Sequence, residues 1–423
     1  MRIRAAGAGT IVAALILAAC GGPVATQLPV TPKPTTAATP TTATSATPTT
    51  AATPTTATSA TPTTGASGTP TSSGTPSGTT WKIGVVTDVG TVDDKNFNQY
   101  SFEGAKLGAQ SIGAAEPSVV VPKDNSEYPT LIQNFVDTDY NMIVTVGFNL
   151  NTDTLKAAKA NPSIWFIGVD QSACVDATGA PDTTFACAGD AHALLPNFVG
   201  LQYAEDQAGY LVGIVAASVA ANHNVAAIGG INLVPAVVRY IQGFELGAKS
   251  VDASITFKSD YVSTADFGVA FNNPGEGKTF ANQFIGTNHP DVMFQVAGKT
   301  GNGVLESTCA KDLIGIGVDV DQWLSLDADN NPQYQCILTS AEKHLSSSVQ
   351  STVDQIAAGT PPVTDAFGSI HFNASNDGIG ISPEHGTLGL ITPDILALVN
   401  TAIDGMKAGT VVTCPETCGT VTP

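Results

Sequence analysis

The chain has 423 residues, with 17 Lys and Arg against 36 Asp and Glu, a net charge of −19 at pH 7. All 36 acidic residues but only 14 of the basic ones lie beyond residue 80, where the net charge is therefore −22. So negative a surface excludes charge-driven binding to nucleic acid polymers or anionic membrane surfaces, and leaves small neutral ligands open.

Arg2 and Arg4 form a short basic start, and Ile11 to Leu17 an apolar run. The run falls short of the roughly 20 residues needed to cross a bilayer, so 1–20 reads as a secretory signal peptide. It ends in Leu17-Ala18-Ala19-Cys20, which looks like a lipobox whose Cys20 thiol is lipidated and becomes the mature N-terminus. Acyl chains on Cys20 supply the multiple hydrophobic signals that stable anchoring requires. This predicts a protein held on the extracytoplasmic face of the cell membrane.

Residues 21–80 contain no Asp, Glu or aromatic residue, and the unit Pro34 to Thr47 repeats verbatim as Pro48 to Thr61. A segment of Thr, Pro, Ala, Ser and Gly buries too little apolar surface to offset its ordering entropy, so a disordered stalk is expected. Fully extended, it would reach at most about 190 Å at about 3.1 Å per residue.

From residue 81 to 423 the composition is globular, and its length predicts two lobes rather than one core. Lys82 to Asp88, Asn141 to Gly147, Ile164 to Asp170, Val225 to Gly229, Val292 to Val296 and Leu313 to Asp319 are short β-branched apolar runs. Helix-length stretches separate them, among them Phe97 to Ile112, Asp206 to Ala221 and Val237 to Val251. That alternation predicts α/β architecture with parallel sheets covered on both faces. Asp88, Asp170 and Asp319 end strands, where open α/β sheets place their ligands. A carboxylate there is equally suited to capping the next helix or turn.

Apart from Cys20, six cysteines remain, and they fall as the local pairs Cys174 with Cys187, Cys309 with Cys336, and Cys414 with Cys418. Six cysteines allow fifteen connectivities, and proximity favours these three disulfides in an exported protein. Neither a CxxC pair nor a His cluster supports a metal site. Gly298-Lys299-Thr300 resembles the end of a P-loop, but Met293 stands where its first Gly is required. With no catalytic motif of the Ser-hydrolase or zinc-protease kind, neither an enzyme nor a cofactor is expected.

The stretch Lys82-Ile-Gly-Val-Val-Thr-Asp-Val-Gly-Thr-Val-Asp-Asp-Lys-Asn-Phe-Asn-Gln99 closely resembles the opening of the basic membrane protein family, the purine-nucleoside-receptor-like lipoproteins of ABC transporters. The likeness continues through Glu205 to Gly213, Gly229 to Pro235, Gly243 to Lys249, Phe271 to Lys278, Val296 to Gly303, Gly317 to Gln322 and Thr339 to Lys343. It implies a type I periplasmic-binding-protein fold, with two Rossmann-like lobes joined by hinge strands and closing on a ligand. Lobe 1 would take about 81–200 plus 345–375, and lobe 2 about 201–343 plus 376–423.

The same resemblance implies that Phe97 and Phe271 stack on a nucleobase, with Asn98 and Asp170 at the base edge. Gly298, Asp319 and Lys343 would hold the ribose, and Asp88 would line the cleft. Asn96 stands where the family usually has Ser, and Phe267 competes with Phe271 for the second stacking position. The expected partners are a nucleoside, an ABC permease and, through the lipid, the membrane, with the protein itself a monomer. Riboflavin, another heteroaromatic or a sugar remain alternative ligands. A surface sensor and a nucleoside-processing enzyme are the alternative functions.

Overall fold

The computed structural model describes residues 80–386, 388–415 and 418–419. The signal peptide, Cys20 and all of the stalk but Thr80 lie outside the described residues.

The first sheet begins with β1 (Ile83–Val86) and β2 (Ser118–Val120), with α1 (Phe97–Ser111) between them. α2 (Tyr128–Asp137), β3 (Met142–Val146), α3 (Asn151–Ala160), β4 (Trp165–Val169), α4 (Ala191–Leu194) and β5 (Phe198–Tyr203) follow. The chain then leaves for a second sheet through α5 (Glu205–Val219), β6 (Asn224–Gly229), α6 (Pro235–Val251) and β7 (Thr256–Tyr261). α7 (Phe267–Asn272), α8 (Pro274–Asn288), β8 (Val292–Val296), α9 (Gly298–Cys309), β9 (Ile314–Asp319), α10 (Gln322–Ser325) and β10 (Ile337–Lys343) complete most of it. α11 (Leu345–Ala357) and β11 (Ser369–Phe372) return to the first sheet, and β12 (Ile379–Ile381) and α12 (Pro393–Lys407) go back to the second.

The strand orders are β11-β5-β4-β3-β1-β2 and β12-β10-β9-β8-β6-β7. Every pairing is parallel except β10 with β12. β1, β3 and β8 are buried at every position, which is why they read as nearly continuous apolar runs, broken only by Thr145 and Gln295, rather than alternating ones. Among the described residues the chain crosses between sheets three times: after Tyr203, after Lys343, and between Phe372 and Ile379. The first crossing lies a few residues beyond the boundary near 200 read from the sequence, because β5 runs on to Tyr203.

Two glycine pairs explain the stretches that open α5 and run along α6. A Cβ on Gly209 or Gly213 would lie 2.2 or 2.3 Å from the carbonyl oxygens of Tyr240 and Phe244. On Gly243 or Gly247 it would lie 2.0 Å from those of Asp206 and Tyr210. The two helices therefore pack backbone to backbone, and this holds the start of α5 firmly beside the second sheet. The cysteines pair as Cys174–Cys187, Cys309–Cys336 and Cys414–Cys418. No helix among the described residues is long and apolar enough to cross a membrane.

Candidate ligand site

The carboxyl ends of both sheets face one cavity of about 780 Å³, its open mouth included. That is within the usual range for small-molecule sites. Asp88, Phe97, Asn98, Asp170, Phe271, Gly298, Asp319 and Lys343 all line it. Phe267, Tyr240, Asp94 and Lys299 line it too, though the sequence had not marked the last three as site residues.

The wall on the side of the first sheet is built on Asp94. Its carboxylate accepts from the backbone N–H groups of Asn96 (2.8 Å), Asn98 (2.9 Å) and Gln99 (3.1 Å), closing the first turn of α1. Three such donors fix the loop that presents Phe97 and Asn98. Asn98 Oδ1 in turn accepts from the Asp88 N–H at 3.2 Å. Asp88 is itself largely used up, accepting from the Tyr128 hydroxyl, the Val89 N–H and, at 3.4 Å, Asn149. Burial still pushes its carboxyl above the usual range despite those bonds.

On the opposite wall, Phe267 and Phe271 lie one turn apart on α7, their rings 6.4 Å apart and inclined by 28°. Phe271 is the more constrained. Its ring presses on Gly230, where a Cβ would lie 2.6 Å from it, and it also flanks Gly298, which has φ of +51°.

Asp170 and Asp319 follow β4 and end β9 in the same unusual conformation, with φ of 57° and 64°. Left-handed backbone is uncommon outside Gly, and Asp tolerates it better than most residues. Here it turns both carboxylates toward Lys343. The Lys343 ammonium, its side chain 2 % exposed, lies 2.7 Å from Asp170, 3.0 Å from Glu205 and 3.9 Å from Asp319. Arg239 donates its Nε–H to the far oxygen of Glu205 at 2.6 Å. The Tyr240 hydroxyl is 3.2 Å from Asp319. Lys343 also stands over the rings of Phe97, Tyr203 and Tyr240 at 5.3, 5.2 and 5.6 Å.

Three carboxylates and two cations share this buried volume, so one carboxylate is left without a full counter-charge. Burial raises Asp319, reinforced by the neighbouring carboxylates and only partly offset by Lys343, to about 7. Burial also raises Asp170 against the pull of Lys343. Glu205 is buried as well, but Arg239 and Lys343 outweigh that and hold it below the usual range. The ammonium is opposed by its own burial, yet Asp170, Glu205 and Asp319 raise it far above the ordinary lysine value. The carboxylates therefore favour the charged form of Lys343, while burial favours the protonated form of Asp319 and, in the same direction, of Asp170.

The cavity thus offers aromatic faces on two walls, carboxylates in its floor and one fixed cation. This suits a flat, hydroxylated neutral molecule. The family model described as "ABC transporter substrate-binding protein PnrA-like" matches residues 82–402. The chain belongs to that family. Among relatives of the PnrA-like chain, the "CD4+ T-cell-stimulating antigen" of Listeria monocytogenes is 27% identical, over 76% of this chain and 85% of that one. The "ABC transporter nucleoside-binding protein BmpA" of Lactococcus lactis is 25% identical, over 73% and 83%. A solute-binding protein of an ABC transporter system from Aeropyrum pernix shares the fold, with a TM-score of 0.62, 20% identity, and coverage of 79% of this chain and 94% of that one. The family is described as one of substrate-binding proteins of ABC transporters, and the structural neighbour shows the fold.

Glu205 and Arg239 are the members of the ion cluster that sequence reasoning missed. Glu205 opens α5, where an acid reads as ordinary first-turn charge. Only a pattern of buried cations seeking partners would have revealed it.

Proposed function

We propose that this protein is a lipid-anchored, extracytoplasmic receptor that captures a purine nucleoside between its lobes and delivers it to an ABC permease. The observation that carries the reading is the cavity itself: Phe97 and the Phe267–Phe271 pair stand on two walls above a floor of Asp170, Asp319 and Lys343. In this reading Phe97 and Phe271 sandwich the base, and Asn98 and Asp170 meet its edge. Asp319, Lys343 and the Gly298 backbone hold the ribose, while Asp88 serves mainly as a braced wall. Stacking contributes roughly 1–3 kcal/mol per aromatic contact, and hydroxyl donors to buried carboxylates add charge-assisted bonds. Phe271 takes the second stacking role because Gly230 and Gly298 fix its ring. The relative named for nucleoside binding supports the ligand class, and the short apolar leader ending at Cys20 supports the anchor.

Calorimetric titration of the refolded, ligand-stripped protein with purine and pyrimidine nucleosides, riboflavin and pentoses tests the proposal. One-to-one binding of a purine nucleoside, lost in Phe97→Ala, is the expected result. Binding confined to riboflavin or a sugar would overturn the ligand assignment. Cys20→Ala should release the protein from the membrane into the medium, and retention would overturn the anchor.

A further inference from the structure

Three side chains of the second lobe donate to one loop of the first, the stretch from Thr91 to Lys95 that leads into Phe97 and Asn98. Lys299 Nζ lies 3.1 Å from the Thr91 hydroxyl, and Asn302 Nδ2 donates to the Asp94 carbonyl at 3.1 Å. The Ser325 hydroxyl donates to the Lys95 carbonyl at 2.7 Å. Lys299 and Asn302 belong to α9 and Ser325 to α10, both packed on strands of the second sheet.

Asn302 is buried, 7 % exposed, and its amide can point only one way. The backbone N–H groups of Ala297 and Val318 donate to Gln295 Oε1 and Gln322 Oε1, each at 3.0 Å. Those donors fix both glutamines, because an N–H faces only an acceptor. Gln295 Nε2 then donates to Gln322 Oε1, and Gln322 Nε2 to Asn302 Oδ1 at 3.1 Å. Asn302 Nδ2 is left to reach the Asp94 carbonyl. Gly301 makes room for the first glutamine, since a Cβ there would lie 1.6 Å from Gln295 Oε1.

The relay begins at the backbone just before Gly298 and Asp319, two residues of the cavity wall. It ends on Asp94, whose carboxylate holds the N–H groups of Asn96, Asn98 and Gln99. A buried polar network with all its members satisfied is rigid. A network that served only its own lobe would not give its last donor to the opposite one.

We propose that Asn302 and Ser325 are positioning residues that pin the Phe97-bearing loop of the first lobe against the second, and so slow the ligand's departure. A ligand enters while the lobes are parted and these bonds are unmade, so they bear on release and not on entry. The effect on release rests on the reading that Phe97 meets the ligand; the pinning of the loop does not.

The test uses the full chain in detergent, as wild type, Asn302→Ala, Ser325→Ala and Ser325→Thr. Hydrogen–deuterium exchange of residues 94–99, measured without ligand, reads the pinning directly. Exchange there should rise at least about threefold in both alanine variants and stay at the wild-type rate in Ser325→Thr, whose hydroxyl still donates. Rapid filtration with tritiated adenosine, guanosine and inosine supplies the binding rates. Dissociation should quicken about threefold in Ser325→Ala and about tenfold in Asn302→Ala, with association within about twofold of wild type. Should Asn302→Ala melt out, the two Ser325 variants decide. Unchanged exchange in the alanine variants, or an affinity loss carried by slower association, would overturn the proposal. If exchange rises while no nucleoside binds, the pinning stands and the nucleoside reading falls.

Discussion

Replacing Lys343 with Met keeps most of the side chain's volume and removes the one cation that touches all three carboxylates. Removing one partner from a buried ion pair costs about 3–5 kcal/mol, because the remaining charge stays desolvated and unpaired. Arg239 still answers Glu205, so the damage falls on Asp170 and Asp319. Those are also the two groups already raised by burial, Asp319 to about 7. In the variant they rise further and take up protons, and this relieves the penalty wherever protons are plentiful. Each unit of pH above about 7 withdraws roughly 1.4 kcal/mol of that relief per proton. We therefore expect a loss of about 3 kcal/mol at pH 6, growing to about 5 kcal/mol at pH 8. For a domain of this size each kcal/mol lowers Tm by roughly 2 °C, so the loss should grow from about 6 °C to about 10 °C. Thermal melts of ligand-free wild-type and Lys343→Met protein, followed by circular dichroism at both pH values, measure this directly. A Tm loss that is equal at the two pH values, or smaller at pH 8, would refute the argument that Lys343 holds excess buried carboxylate charge.

Other consequences are open to measurement. Phe97→Ala should weaken ligand binding by about 10- to 100-fold, as expected for one stacking contact, with little change in Tm; an unchanged affinity would remove Phe97 from the sandwich. Phe271→Ala should cost more affinity than Phe267→Ala, and the reverse order would transfer the stacking role to Phe267. Because the folded-state pKa of Asp319 is raised, its contribution to the empty protein's stability is favourable at low pH and fades as pH rises from about 4 to about 7. Ligand hydroxyls that donate to it favour the ionised form, so affinity should fall up to about tenfold per unit as pH drops below about 7, and Asp319→Asn should flatten that profile. Gly247→Ala places a methyl 2.0 Å from the Tyr210 carbonyl and should destabilise the fold by about 3 kcal/mol or more, read as an early melt; a wild-type Tm would mean that the α5–α6 contact gives way easily.

The fold was legible because parallel strands covered on both faces cannot alternate. β1, β3 and β8 are apolar at nearly every position, and helix-length stretches between them leave few other architectures. β7 and β12 were not legible, being short or polar, and their pairing is imposed by the sheet rather than by their own pattern. Strand-end position singled out Asp170 and Asp319, but not which way they point. Capping the next turn and entering a cavity look alike in sequence, and the left-handed backbone at both residues decides the matter. Glu205 and Arg239 were invisible for a related reason. An acid at a helix start and a base within a helix are ordinary surface chemistry until α5 and α6 close to backbone contact and bury them.

The placement of the ion cluster links ligand chemistry to lobe geometry. Glu205 is the first residue of α5, just beyond the first crossing between sheets, and Lys343 is the last residue of β10, just before the second. Asp170 belongs to the first sheet's edge of the cavity and Asp319 to the second's. One ammonium therefore ties both lobes to two of the three connecting segments. Any rotation that parts the sheets must lengthen the 2.7 Å contact to Asp170 or the 3.9 Å approach to Asp319, and Glu205 holds Lys343 in place while it happens. A ligand that donates to Asp170 and Asp319 together stabilises the geometry in which both lie near Lys343, which is the closed one. On the proposed reading closure needs no separate trigger, because the groups assigned to the ligand are those whose spacing would change as the sheets part.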